Sequence, residues 1–285
     1  MTGTVSLLPR ILSGFHVFIL LSCFFLSQLF SIACAGDNQP FQEVRGEHFL
    51  VEFTAEQERA SARQILDRAE LYYSKITSDI GHSRHQQSWA WDRRVRIVLY
   101  PDQFSYNRFT GQPQWSKAYA SRYSKFFSSR VIVSWLGQLG FLEEALPHEI
   151  AHLVLWDFLG FSSKVPLWLE EGIAQLAESD KREIVQQAIK QVEASGQIIP
   201  LAILAGMDIV NEKDTAKVSL FYAQSLSLVL FMLEKHGRDA FRRLLRELRD
   251  GKDFEQALQT AYPLVFPSVN DLEKRWKAFL SLDNI

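Results

Sequence analysis

The chain has 285 residues, 47% of them hydrophobic and 22% charged, which is enough apolar material to bury a sizeable core. This composition excludes intrinsic disorder as the main state of the chain. Lysine and arginine together number 31 against 33 acidic residues, and with no dense basic run this near balance argues against a nucleic-acid-binding protein.

The N-terminal residues 1–35 form a segment of their own. Arg10 is the only charged residue before Asp37, and residues 11–33 are rich in Phe, Leu and Ile. Ala33-Cys34-Ala35 has the A-x-A form that signal peptidases cut. Three interpretations stay open: cleavage after Ala35, retention of residues 11–33 as a membrane anchor, and lipidation of Cys34. Each of them predicts that the rest of the chain lies outside the cytoplasm.

Residues 36–285 are expected to form one domain, because no repeat, linker or change of composition divides them. Both cysteines of the chain, Cys23 and Cys34, lie in the N-terminal segment. The predicted domain therefore has no disulfide and no cysteine that could act as a nucleophile or a metal ligand.

The pattern of the domain changes from mixed to helical along the chain. Strands are predicted at residues 48–53, 94–100 and 130–135, a long amphipathic helix at 57–80, and a short helix at 104–109. After Gly140 the predicted elements are all helices, at residues 146–158, 167–178, 182–194, 218–235, 240–249, 254–260 and 269–280. The sequence therefore predicts an α+β fold, with a small mixed or antiparallel sheet and helices in the N-terminal half and a mostly helical C-terminal half.

One short motif contains residues that could bind a metal ion and act on a water bound to it. Residues 147–153 read Pro-His-Glu-Ile-Ala-His-Leu. His148 and His152 are four residues apart, so on a helix they share one face and can bind one divalent cation such as zinc. Glu149 points about 100° away around the helix, where it can reach a metal-bound water without binding the metal. The alternative is a helix with two surface histidines and a solvated glutamate.

A third ligand is available further along the chain. Glu171 lies in the stretch Pro-Leu-Trp-Leu-Glu-Glu-Gly-Ile-Ala, residues 166–174, with eighteen residues between it and His152. Residues 160–166 leave room for a chain reversal, so Glu171 can approach from a neighbouring antiparallel helix. Three protein ligands and one open position are the arrangement of a catalytic zinc. The alternative is that Glu170 and Glu171 are two solvated helix acids.

This combination resembles the gluzincin zinc peptidases, in particular their aminopeptidase branch. Over residues 45–282 the chain is similar to the bacterial peptidase MA-like proteins. The less specific features of this similarity are Tyr100-Pro101 followed by Phe104, Gly111-x-Pro113, and Tyr222-Ala-Gln with the later Gly237.

The resemblance implies a gluzincin-like fold and one zinc ion per chain, bound by His148, His152 and Glu171, with Glu149 as the catalytic base. It implies a peptide or protein substrate. Together with the N-terminal segment, it predicts a location in the bacterial periplasm or in the medium, with residues 11–33 as the segment that would anchor the chain to the inner membrane if they are retained. It also implies that Tyr222 donates a hydrogen bond to the oxyanion. The alternative for Tyr222 is a core tyrosine whose hydroxyl is satisfied locally.

Two departures from the relatives limit the resemblance. The aminopeptidases bind the substrate α-amine with a Gly-x-Met-Glu-Asn stretch. No such stretch precedes His148 in this sequence, so endopeptidase activity is favoured. Thermolysin-like relatives carry an Asp four residues after the third ligand, where this chain has Gln175. The partners that orient the two histidines therefore cannot be identified from the sequence.

Two functional hypotheses follow. The first is an exported zinc peptidase in which strand 130–135 is an exposed sheet edge that pairs with an extended substrate. An interior strand is the alternative for this segment. The second hypothesis is an exported, zinc-binding but non-catalytic binding or assembly protein on the same scaffold. Serine hydrolase and nucleotide-binding functions lack their motifs in this sequence.

Overall fold

A computed structural model of the chain describes residues 42–53, 59–82, 94–112, 114, 116–121, 130–160, 164–178, 182–194, 196–209 and 211–282. The predictions for the N-terminal segment 1–35 and for Pro113 lie outside these residues. The described part from Gln42 onward belongs to one compact unit.

A mixed sheet of five strands forms the N-terminal half. The strands are β1 (Gln42–Arg45), β2 (Phe49–Phe53), β3 (Val95–Tyr100), β4 (Tyr119–Ser121) and β5 (Val131–Trp135). Their order in the sheet is β1-β2-β3-β5-β4. β2, β3 and β5 run parallel to one another, whereas β1 and β4 are antiparallel to their neighbours. The three predicted strands are present, and β1 and β4 are additional short strands.

The prediction that strand 130–135 is an exposed sheet edge is wrong. β5 lies inside the sheet, where Ile132 is opposite Ile97 of β3 on one side and Ala120 of β4 on the other. Ile132 faces the main core, while Val131 and Val133 pack with Tyr106 on the opposite face of the sheet. An interior strand with both faces covered reads as a continuous apolar run. Among the described strands, β4 forms the edge on this side of the sheet.

Helices cover the sheet and form the C-terminal half, so the predicted α+β fold is confirmed. Around the sheet are α1 (Arg59–Ile80) and α2 (Gln103–Thr110), and after β5 come a π-helical turn (Phe141–Ala145) and α3 (Leu146–Leu159). The helical half contains α4 (Leu167–Leu176), α5 (Arg182–Ala194), α6 (Leu201–Leu204), α7 (Thr215–His236), α8 (Arg238–Arg249), α9 (Phe254–Ala261) and α10 (Val269–Leu282).

The centre of the molecule is the packing of α3, α4 and α7. Among the described helices, α7 has the length and apolar composition that would allow a membrane crossing, but most side chains from Phe221 to Met232 are buried in the core. α4 and α7 approach closely at Gly172, where an added Cβ atom would lie 2.4 Å from the carbonyl oxygen of Ser225. Only glycine allows this approach, and it fixes α7 beside the residue that precedes Gly172, which is Glu171.

Candidate metal centre

Three side chains from α3 and α4 converge on one point. Nε2 of His148 and Nε2 of His152 are 3.1 Å apart, and Oε2 of Glu171 lies 3.4 Å from the first and 3.6 Å from the second. Ligands about 2.1 Å from a tetrahedral zinc ion are separated by about 3.4 Å. The three atoms therefore have the mutual spacing of three corners of a zinc tetrahedron.

The surroundings of these atoms also suit a cation. Oε2 of Glu171 is buried and has no hydrogen-bond donor among the described residues. A buried carboxylate oxygen without a donor is costly unless a positive charge compensates it. Two imidazole nitrogens and one carboxylate oxygen form a donor set that zinc accepts.

The electrostatics of the site are dominated by acidic neighbours. Burial alone would lower the pKa of His148, but Glu171 and Glu178 raise it to about 9. Burial would also raise the pKa of Glu171, but His152 and His148 lower it well below its usual value. The carboxylates thus stabilise positive charge between the two histidines, which is where a bound dication would lie.

Two further glutamates hold the outer ring nitrogens of the two histidines. Oε1 of Glu178 is 2.8 Å from Nδ1 of His148, and Oε1 of Glu170 is 3.1 Å from Nδ1 of His152. The indole N–H of Trp156 donates to the same oxygen of Glu170. Carboxylates that hold the outer nitrogen of a ligand histidine fix its tautomer and ring orientation. With the outer nitrogens engaged, both histidines present Nε2 to the centre of the site.

Sequence reasoning missed the roles of Glu170 and Glu178. The sequence predicts Glu170 only as a solvated helix acid, although its position next to Glu171 on α4 is a hint of a role at the site. Glu178 lies just beyond the end of α4, in a turn whose path no motif in the sequence reveals. Gln175 stands at the position where thermolysin-like relatives carry an Asp. Its side-chain amide donates to the carbonyl oxygen of Tyr222, at 2.9 Å.

Glu149, on α3, faces the edge strand β4. Its carboxylate accepts a hydrogen bond from the backbone N–H of Ala120 on β4. Burial raises the pKa of Glu149, and the charge of Glu171 raises it further against the lowering effect of the two histidines. A carboxylate with a raised pKa next to candidate metal ligands has the properties of a general base.

Tyr222 lies on α7 at the same site. It is half-buried, and burial together with the carboxylates of Glu171, Glu149 and Glu178 raises the pKa of its hydroxyl. The hydroxyl therefore stays protonated and can act as a hydrogen-bond donor at neutral pH. Its position depends on α4, because Gln175 binds its main chain and Gly172 lets α7 come close.

Comparison with known protein families gives one match. A family model described as Peptidase MA superfamily matches residues 108–282, a stretch that contains β4, α3, α4 and α7. All five side chains considered above as ligands, base and hydroxyl donor lie in the matched stretch. No curated protein matches the chain.

Proposed function

The chain belongs to the peptidase MA superfamily, and from this we propose that it is an exported zinc-dependent peptidase that cleaves within peptide chains. The observation that carries the proposal is the spacing of 3.1 to 3.6 Å among Nε2 of His148, Nε2 of His152 and Oε2 of Glu171. These three residues would bind one zinc ion per chain. The predicted export rests on the N-terminal segment 1–35 and its A-x-A pattern.

The chemistry then divides among the residues of the site. When bound, zinc would supply Lewis-acid activation of a water molecule and of the scissile carbonyl group. Glu149 would take the proton from the attacking water and later give it to the leaving amine. The protonated hydroxyl of Tyr222 would donate a hydrogen bond to the developing oxyanion. Glu170 and Glu178 would hold the histidines without touching the substrate.

Substrate binding would use the sheet edge. β4 is the edge strand of the described sheet and lies beside Glu149, so an extended peptide could lie along it and cross the site, with the N–H of Ala120 already held by Glu149. Main-chain pairing tolerates varied side chains and does not require a free substrate N-terminus. This binding mode supports an endopeptidase, in agreement with the absence of an amine-gripping motif before His148.

The experiment that tests the function combines metal analysis with peptide hydrolysis. We expect about one zinc per chain, cleavage of a long peptide that stops on chelation, and equal cleavage of its free and N-acetylated forms. His152→Ala should lose both zinc and activity. Glu149→Gln should keep zinc but lose activity by a factor of about 10² to 10⁴, the usual contribution of a general base.

Three outcomes would contradict the proposal. Loss of zinc from Glu149→Gln as complete as from His152→Ala would make Glu149 a ligand rather than the base. Stoichiometric zinc in the wild-type protein without hydrolysis of any peptide in a mixed library would favour the non-catalytic binding or assembly protein. Cleavage only of peptides with a free amino terminus would indicate an aminopeptidase.

A further inference from the structure

The ring of His152 is stacked against a second aromatic side chain of its own helix. Trp156 follows His152 by four residues on α3, so the two side chains lie on one face of the helix. The centroids of their rings are 5.5 Å apart, and the ring planes are inclined by 26°. The indole therefore covers one face of the imidazole and limits how far this ring can tilt.

The same indole is tied to the neighbouring helix through Glu170. The N–H of Trp156 donates to Oε1 of Glu170, and Nδ1 of His152 lies 3.1 Å from that same oxygen. Glu170 belongs to the first turn of α4, where the helix dipole favours a carboxylate. One carboxylate oxygen thus joins an indole and a candidate ligand of α3 to the start of α4.

This contact lies in a part of the site that is shielded from solvent. The side chains of His152 and Glu170 are only 9% and 17% exposed, and Trp156 is partly buried. A shielded carboxylate that loses a donor is poorly compensated by water. Without the indole N–H, the contact with Nδ1 of His152 would have to fix the direction of Glu170 alone.

Packing alone does not account for the choice of tryptophan at this position. Trp156 packs against the main core, and any large aromatic side chain would contribute to stability there. An indole N–H, however, can only donate, so a partly buried indole must also face an acceptor. A phenylalanine would cover the same surface without this requirement. The hydrogen bond to Glu170 is therefore the property that distinguishes Trp156 from a core aromatic residue.

We propose that Trp156 is a positioning residue for the metal centre. It acts through Glu170 to hold Nε2 of His152 at the point where the three candidate ligands converge. The proposal rests on the proposed zinc site and deepens it, because it names a residue that controls how firmly the metal is held. Loss of the indole N–H should therefore weaken zinc binding although every ligand is still present.

The test removes the N–H and keeps an aromatic ring, in Trp156→Phe of the full chain. Trp276→Phe is the matched control, because the Trp276 N–H also donates a buried hydrogen bond, to the hydroxyl of Ser227 at 3.1 Å. These two residues lie on α10 and α7, which carry none of the three candidate ligands. Thermal unfolding checks that each variant is folded. If Trp156→Phe does not fold, benzothienylalanine at position 156, in which sulfur replaces only the N–H, makes the same comparison.

We expect Trp156→Phe to bind zinc about tenfold more weakly, the lower end of the usual effect of losing an outer partner of a ligand histidine. Transfer of zinc to a chromophoric chelator measures this affinity. The visible absorption bands of the cobalt(II) form, which depend on ligand geometry, should change in Trp156→Phe and stay unchanged in Trp276→Phe. In a Glu170→Ala background, the further change Trp156→Phe should have little effect on zinc affinity, because the two residues act as one unit.

Four results would overturn the proposal. A zinc affinity of Trp156→Phe equal to that of the wild type, or an equal loss in Trp276→Phe, would leave Trp156 with a packing role. An undiminished loss in the Glu170→Ala background would show that Trp156 does not act through Glu170. A wild-type protein that does not bind zinc would remove the metal centre and the proposal together. None of these measurements uses a substrate, so absence of peptide hydrolysis would overturn the peptidase function without affecting this proposal.

Discussion

Glu178 and His148 are thirty positions apart in the chain, yet Oε1 of Glu178 lies 2.8 Å from Nδ1 of His148. The contact joins the turn after α4 to the first turn of α3. It gives one of the ligand imidazoles a fixed tautomer and a fixed direction. No motif predicts it, because Glu178 lies beyond the helix that carries Glu171.

Removing the charge of Glu178 should weaken metal binding without removing a ligand. We expect Glu178→Gln to lower zinc affinity by about 10- to 100-fold, the usual effect of losing such a partner. Competition with a zinc-binding dye measures the affinity, and Glu183→Gln, an exposed glutamate on α5, is the control. An affinity equal to that of the wild type would show that Glu178 does not support His148.

The hydroxyl of Tyr222 should matter for turnover and not for the metal. Loss of one oxyanion donor typically costs a factor of about 10² to 10³ in kcat. We expect this loss in Tyr222→Phe, with zinc content unchanged. Tyr262→Phe is the matched control, since the Tyr262 hydroxyl is buried without a hydrogen-bond partner among the described residues and lies outside the site. Similar kinetics for both variants would leave Tyr222 as a core residue.

Gly172 should be intolerant of any side chain. An alanine Cβ would lie 2.4 Å from the carbonyl oxygen of Ser225 and 2.6 Å from Cγ2 of Val229, so α4 and α7 must separate. Overpacking of this kind costs about 1 to 3 kcal/mol. We expect Gly172→Ala to unfold at a lower temperature and to lose activity through displacement of Tyr222. Gly206→Ala, where the nearest atom would be 3.9 Å away, serves as the control.

The stability of the domain should fall in acid partly because of Glu70. Burial opposes ionisation of Glu70, but hydrogen bonds from the ring and backbone of His48 and from the N–H of Phe49 lower its pKa below the usual value. A lowered folded pKa stabilises the protein above the unfolded pKa of about 4.3, and this contribution disappears as the pH falls through the folded value.

Glu70→Gln tests this contribution directly. At pH 7 we expect the variant to be about 1 to 2 kcal/mol less stable than the wild type, the scale of hydrogen bonds to a charged group. The difference should shrink as the pH falls from the unfolded pKa of about 4.3 through the lower folded value, where the wild-type carboxylate becomes protonated. Denaturant unfolding at several pH values measures it, with the exposed Glu234→Gln as the reference. A difference that is independent of pH would contradict the ionic origin.

The sequence predicted those parts of the molecule that depend on local pattern. The apolar spacing of α1, the glycine at position 81 that ends it and the His148–His152 repeat are visible within a few residues. β4 was missed because three residues carry almost no periodicity, and its strand conformation depends on pairing with β5. The same pairing makes β5 an interior strand. Strand order depends on contacts between distant segments, which no local pattern records.

In the candidate site, too, local motifs predict some residues, and the others depend on contacts between distant segments. His148, Glu149 and His152 follow from one helical turn, and Glu171 follows from a second short motif. The contacts of Glu170 and Glu178 with the two histidines depend on how α3 and α4 lie side by side. Their identification needed the three-dimensional positions of both helices.

The π-helical turn that precedes α3 has a consequence for helical phase. The N–H of Leu146 bonds to the carbonyl oxygen of Phe141, five residues earlier, so this turn holds one more residue than an α-helical turn would. An α-helical turn with one residue fewer would cover nearly the same rotation, so the wider turn absorbs a residue without changing the phase of α3. His148 and His152 would therefore still face Glu171 after the deletion of one residue from the segment 141–145. An extra residue placed inside α3 before His148 without such a turn would instead rotate both histidines by about 100°.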